Sequence, residues 1–180
     1  MKNSRILVLI GFISTIMIIS CTSRRDKDAK SITALEKELS AEAERPKQEK
    51  LDELMSSYLN FVDKHPQDTS ASQYLYKALN LAMGTNQGEK AMELANRTLN
   101  EYPKSEKIAE TVFLKAFIYE NLLSNLGLAQ KTYNDFLSRF PDHELADDAQ
   151  AALNNLGKSP EELIREFEQK AADAATADSK

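Results

Sequence analysis

Of 180 residues none is tryptophan, one is cysteine, two are histidine, and glycine and proline number five each. A single cysteine, Cys21, excludes a disulfide within the chain, so no covalent brace holds the fold. The two histidines, His65 and His143, stand 78 positions apart. No HExxH, glycine-rich phosphate loop or Gly-x-Ser-x-Gly elbow occurs, so the usual signs of catalysis or metal binding are missing and neither catalytic nor metal residues are assigned. Basic residues are the minority, 23 against 28 acidic, and setting aside Lys2 and Arg5 leaves 21 against 28, a net charge of −7. That balance argues against nucleic acid as a partner, because binding phosphate demands a basic footprint. Scarce glycine beside abundant Ala, Leu, Glu, Lys, Gln and Asn is the usage of helices, since those side chains lose little freedom there. An all-α fold is expected, and at 42% apolar content the chain has room for one ordinary core with appendages.

The N-terminus reads as a segment apart. "MKNSR" carries two positive charges, "ILVLIGFISTIMII" runs fourteen residues without a charge, and Ser20 and Cys21 follow, the layout of a secretory signal. Fourteen residues rise about 21 Å as a helix, short of the roughly 30 Å of a bilayer core, which disfavours a permanent span. Ile18-Ile19-Ser20-Cys21 resembles the bacterial lipobox, with Ile at the second position before the cysteine a less common choice. The resemblance implies that residues 1–20 are a lipoprotein signal peptide and that the Cys21 thiol forms a thioether with diacylglycerol, its freed α-amino group being acylated as well. Two or three acyl chains, at about 0.8 kcal/mol per buried methylene, make a stable anchor. Thr22 stands where Asp would resemble an inner-membrane retention signal, so the implied location is the outer membrane, facing the periplasm. Apart from this covalent lipid no cofactor is expected.

Residues 21–30, with "TSRRDKDAK" after the cysteine, read as a lipidated tether that reaches about 30 Å at most. Over 31–45 Ile32, Leu35 and Leu39 share one helix face, Thr33 and Glu36 have capping-box spacing, and Pro46 follows. This short amphipathic helix either docks on the domain or pairs with another chain as a coiled coil, for which about two heptads are few.

The rest of the chain repeats. "FVDKHP", "TLNEYP" and "FLSRFP" end at Pro66, Pro103 and Pro141, 37 and 38 residues apart. Twelve positions before each proline stand Leu54, Ala91 and Ala129; eight before, Tyr58, Ala95 and Tyr133; four before, Val62, Leu99 and Leu137. All are small or apolar, as one helix face requires. After each proline a polar pair (Asp68-Thr69, Ser105-Glu106, Asp142-His143) can cap a helix that holds Ala71, Ala109 or Ala146. The unit is two helices joined by a turn, with proline closing the second.

This unit resembles the tetratricopeptide repeat. Ala129, Tyr133 and Pro141 fit the family's helix B fully; Ala91 and Pro103 fit with Ala95 in place of the aromatic, and Tyr58 and Pro66 fit with Leu54 in place of the small residue. Ala116 and Tyr119 look like the packing pair of helix A, whereas Ala78 is followed by Leu81 and Leu153 by Leu156. "YNDFLSRFPDHELADDAQAALNNLGKSPEELI" is similar to repeats of outer-membrane lipoproteins such as that of the barrel-assembly machine, and of Tol-Pal-associated periplasmic proteins. The resemblance implies a right-handed α-solenoid of about three hairpins over 46–157. It also implies a partner-binding groove lined by Ser72, Leu75, Leu79, Glu110, Phe113, Phe117, Glu120, Asn121, Asp147, Gln150 and Asn154. Phe113 and Phe117, one turn apart, either present an apolar face to a peptide or pack against a neighbouring helix.

Residues 158–173 read as a capping helix: Gly157 ends one helix, Ser159 and Glu162 make a capping box around Pro160, and Leu163, Ile164 and Phe167 form an apolar stripe. The last residues, 174–180, should fray. The acidic cluster Asp142, His143, Glu144, Asp147 and Asp148 reads as a cap and first-turn charges rather than a metal site, and His65 as a packing residue at a helix end. The expected function is a non-enzymatic, lipid-anchored scaffold binding envelope proteins or peptides, in outer-membrane assembly or Tol-Pal-type maintenance. A glycan-binding or nutrient-uptake lipoprotein is the alternative, disfavoured by the lack of tryptophan and of long insertions. The sequence leaves the oligomeric state open.

Overall fold

A computed structural model describes residues 24–41 and 46–177, with the side chains of Phe167 and of 170–177 outside that description. The signal segment 1–20, Cys21 and the stripe residue Phe167 therefore lie outside the described residues. Every regular element among those described is a helix: α1 over 24–41, α2 Gln48–Lys64, α3 Ala71–Gly84, α4 Gly88–Glu101, α5 Ile108–Asn121, α6 Leu126–Arg139, α7 Ala146–Asn155 and α8 Pro160–Ala177. The chain divides into two compact units, one ending at Thr85 and one beginning at Asn86.

One junction recurs three times. After α2, α4 and α6, the residue before the proline (His65, Tyr102, Phe140) ends the helix with its N–H on the carbonyl four residues back. Its own carbonyl accepts from the third residue on, Asp68, Ser105 or His143, whose carbonyl in turn accepts from the first residue of the next helix, Ala71, Ile108 or Ala146. In the same three residues a side-chain atom accepts a backbone N–H two positions later, from Ser70, Lys107 and Leu145. The expected caps thus close local turns just ahead of the helices.

In the first unit α2 and α3 pack together around Phe61, Val62, Leu75 and Leu79, all 1% exposed or less. The region expected as a tether is helix from residue 24 onward, so tether and amphipathic helix form one element, α1. Some of its charges tie it to the unit: the Arg25 guanidinium donates to both oxygens of Asp68, at 2.7 and 3.1 Å, and Asp28 lies 3.1 Å from Nε2 of His65. Ile32 is 1% exposed, which settles that α1 docks on its own chain. The expected capping box does not form, because position 33 is mid-helix: the Thr33 hydroxyl donates to the Ala29 carbonyl and Glu36 turns to α2 and α3.

In the second unit α4 packs on α5, α5 on α6 and α6 on α7, around Ala116, Ala129, Tyr133, Phe136 and Ala149. The buried hydroxyls of Thr98 and Thr111 are satisfied by donating to the carbonyls of Leu94 and Lys107. Gly88 opens α4 where a side chain has no room: a Cβ would lie 3.0 Å from Cβ of Leu122 and 3.2 Å from its carbonyl oxygen. Gly157 takes φ +78° after α7, a left-handed conformation that suits glycine. Ser159 and Glu162 then form the reciprocal capping box of α8, the Ser159 N–H donating to the Glu162 carboxylate and the Glu162 N–H to the Ser159 hydroxyl. At this end α8 continues to Ala177, beyond the expected 173, and of its stripe Leu163 is half-buried and Ile164 is 58% exposed.

Candidate partner-binding surface

The residues expected to line one groove have different fates. In the first unit Leu75 and Leu79 are fully buried and Ser72 is half-buried, so this stretch offers no apolar wall. Both leucines belong to the core that α2 and α3 share. α1 is tied to the same pair of helices: Glu36 accepts from the Tyr58 hydroxyl of α2 and from Lys77 of α3, both at 2.7 Å, while Arg25 grips Asp68 one helix end away.

In the second unit Phe113 is half-buried and packs against the core. Its ring meets Tyr133 and Phe136 edge-on, each with centroids 5.7 Å apart. Glu120 is engaged by the Tyr133 hydroxyl at 2.8 Å, and Glu110 by Lys107. Burial works against ionisation of Glu110, but the Lys107 ammonium, a backbone N–H and His143 outweigh it and leave its pKa below the ordinary value. What stays at the surface is Phe117, 38% exposed, with Asn121 one turn on, and Asp147, Gln150 and Asn154 along α7. The packing residues keep their places: Ala78, Ala91, Ala116, Ala129, Tyr58 and Tyr133 are buried and Tyr119 is half-buried, while Pro66, Pro103 and Pro141 sit exposed in the turns.

One arrangement was not anticipated. Tyr58 and Tyr133, both eight residues before a proline, each donate to a glutamate on the preceding helix, Glu36 or Glu120. Burial first, and then the neighbouring carboxylate, drives both phenols well above the usual tyrosine range. Ile32 and Ala116, four residues before these glutamates, are both buried. The α1–α2 and α5–α6 pairs thus share this contact and the buried residue one turn before it. The sequence held the clue in the shared tyrosine position, but Glu36 looked like half of a capping box.

Two depressions also escaped sequence reasoning. One of about 560 Å³ opens beside Arg25, Asp26, Lys64, His65, Pro66, Gln67 and Asp68. Another of about 310 Å³ is floored by Leu99, Val112, Tyr119 and Leu128 and edged by Lys115, Lys131, Thr132, Asp135 and Arg139. The histidines have packing roles: His65 lies against Phe61 with ring centroids 4.9 Å apart, and His143 meets Phe136 edge-on while accepting the Leu145 N–H. Among the described residues no group of three or more His, Cys, Asp or Glu side chains is placed to hold a metal ion, and no helix is long and apolar enough to cross a membrane.

The contact between Arg25 and Asp68 gives this unit an acid-sensitive clasp. Arg25's hydrogen bond first of all, with help from Ser70 and against the effect of burial, lowers the Asp68 carboxyl from 3.8 to about 2. A folded-state pKa below the unfolded one stabilises the fold at higher pH, and that contribution is lost as pH falls from about 4 towards 2. Thermal melts of wild type and Asp68→Asn followed by circular dichroism should differ most above pH 4 and converge near pH 2. A constant difference across that range would show that Asp68 acts through something other than its charge.

No family model matches the chain, and no curated protein matches it.

Proposed function

We propose that this protein is a lipid-anchored, non-enzymatic scaffold of the tetratricopeptide type, which binds protein or peptide partners in the bacterial cell envelope. The observation that carries the reading is the recurrence of structure with sequence: one turn built three times at Pro66, Pro103 and Pro141, and one Tyr–Glu contact built twice. Stacked helical units of this kind bury only part of their apolar surface and present extended faces, which suits recognition better than chemistry. The lipobox-like segment ending at Cys21 supplies the anchor, and Thr22 favours the outer membrane, with the folded units facing the periplasm. The named processes, outer-membrane assembly and Tol-Pal-type maintenance, rest on resemblance alone.

Phe117 is the residue to vary, because it is the exposed aromatic of the expected groove and its removal leaves the core intact. The test is crosslinking of the anchored protein in its native envelope, wild type beside Phe117→Ala and Cys21→Ser. Recovery of assembly or Tol-Pal proteins with wild type, reduced with Phe117→Ala, supports the scaffold and its surface. Glycan-uptake components in their place would favour the alternative. Membrane retention of Cys21→Ser after signal removal would overturn the lipid anchor.

A further inference from the structure

We propose that the outward face of α1 is a headgroup-binding surface, which lays this helix along an anionic bilayer beside the anchor; the proposal rests on the lipid-anchored reading above. It starts from a count of charges. Each acid of α1 has a partner within the first unit: Asp26 with Arg25, Asp28 with His65 and Lys64, Glu36 with Lys77 and Tyr58, and Glu38 with Lys50. Of the five cations only Arg25 is used. The side chains of Arg24, Lys27, Lys30 and Lys37 are exposed, with no hydrogen-bond or ion-pair partner among the described residues.

Their positions are ordered. At about 100° per residue, Lys27, Lys30 and Lys37 each lie about 140–160° round the helix from buried Ile32, within about 80° of one another. Arg24 flanks them at the start. Like charges three residues apart on a helix repel, so Arg24, Lys27 and Lys30 carry a cost in the unbound helix, which Asp28 and Asp26, four residues from Arg24 and Lys30, offset in part. An anionic surface removes that cost, and few other parts of a chain with net charge −5 present such a run.

Position along the chain selects the partner. Cys21 is three residues from Arg24, a reach of about 10 Å, close to the screening length at physiological salt. Acylation there would hold the cationic face where the negative potential of a membrane is felt. A basic face beside an acyl anchor adds to its hold on an anionic membrane, each lysine near the surface being worth roughly a factor of five in affinity.

The test uses the full chain, purified from membranes and returned to vesicles of phosphatidylcholine alone or with added phosphatidylglycerol. Brief acetylation followed by mass spectrometry reads each lysine, with exposed Lys104 as the internal control. Lys27, Lys30 and Lys37 should be acetylated about fivefold more slowly in the anionic vesicles, with Lys104 unchanged, and the protection should vanish in about 0.5 M salt. Equal rates in the two vesicles, or protection that salt does not reverse, would overturn the headgroup face while leaving the anchor standing. A chain that fails to float with either vesicle would overturn the anchor, and the proposal with it.

Discussion

Phe136→Ala is expected to lower the stability of the chain by about 3–5 kcal/mol, the usual range for emptying a buried aromatic site. The ring is fully buried and central: Phe113, Phe140 and His143 all lie with ring centroids 5.6–5.7 Å from it, on three different stretches of the second unit. Such a void cannot be filled from one side, because the neighbouring rings are held by α5 and by the junction after Pro141. Urea denaturation gives the measurement. Phe117→Ala belongs beside it as a reference, since an exposed position should change stability by about 0.5 kcal/mol or less. If the two variants were equally destabilised, Phe136 would not be the keystone its contacts make it.

Glu36→Ala should cost about 1.5–3 kcal/mol, the loss typical of hydrogen bonds to a charged group. One carboxylate oxygen serves both the nearly buried hydroxyl of Tyr58 and the ammonium of Lys77. Its removal leaves the phenol without this acceptor and takes away one tie of α1 to α2 and α3 together, Arg25–Asp68 and buried Ile32 remaining. Adding Tyr58→Phe to Glu36→Ala should then cost little more, because the stranded hydroxyl goes with it, so a double-mutant cycle would show coupling. Amide exchange over 24–41 should quicken in Glu36→Ala before exchange in α2 does. Additive losses from the two changes would mean that they act apart.

The helices from α2 onward were legible because their apolar periods, prolines and polar turn residues all point the same way. Gly157, Ser159, Pro160 and Glu162 do what their types suggest, since each acts through its own backbone neighbourhood. Periodicity tells which residues share a face but not what covers it. For that reason Leu75 and Leu79 read as equally good for a groove or a core, and Phe113 as a twin of Phe117. The start of α1 was misread for a related reason. "RRDKDAK" has the composition of solvated chain, and only the fold brings Asp68 and His65, some forty residues later, up to Arg25 and Asp28.

The two Tyr–Glu contacts differ in one respect: the partners are 22 residues apart in one and 13 in the other. The same handshake therefore tolerates a change in the length of chain that connects it. Closing a longer loop costs only about 0.6 kcal/mol per doubling, so selection can lengthen or shorten these connections at little expense while the contact holds its geometry. For protein engineering this means that the separation between the two partners can be varied while the Tyr–Glu contact is kept.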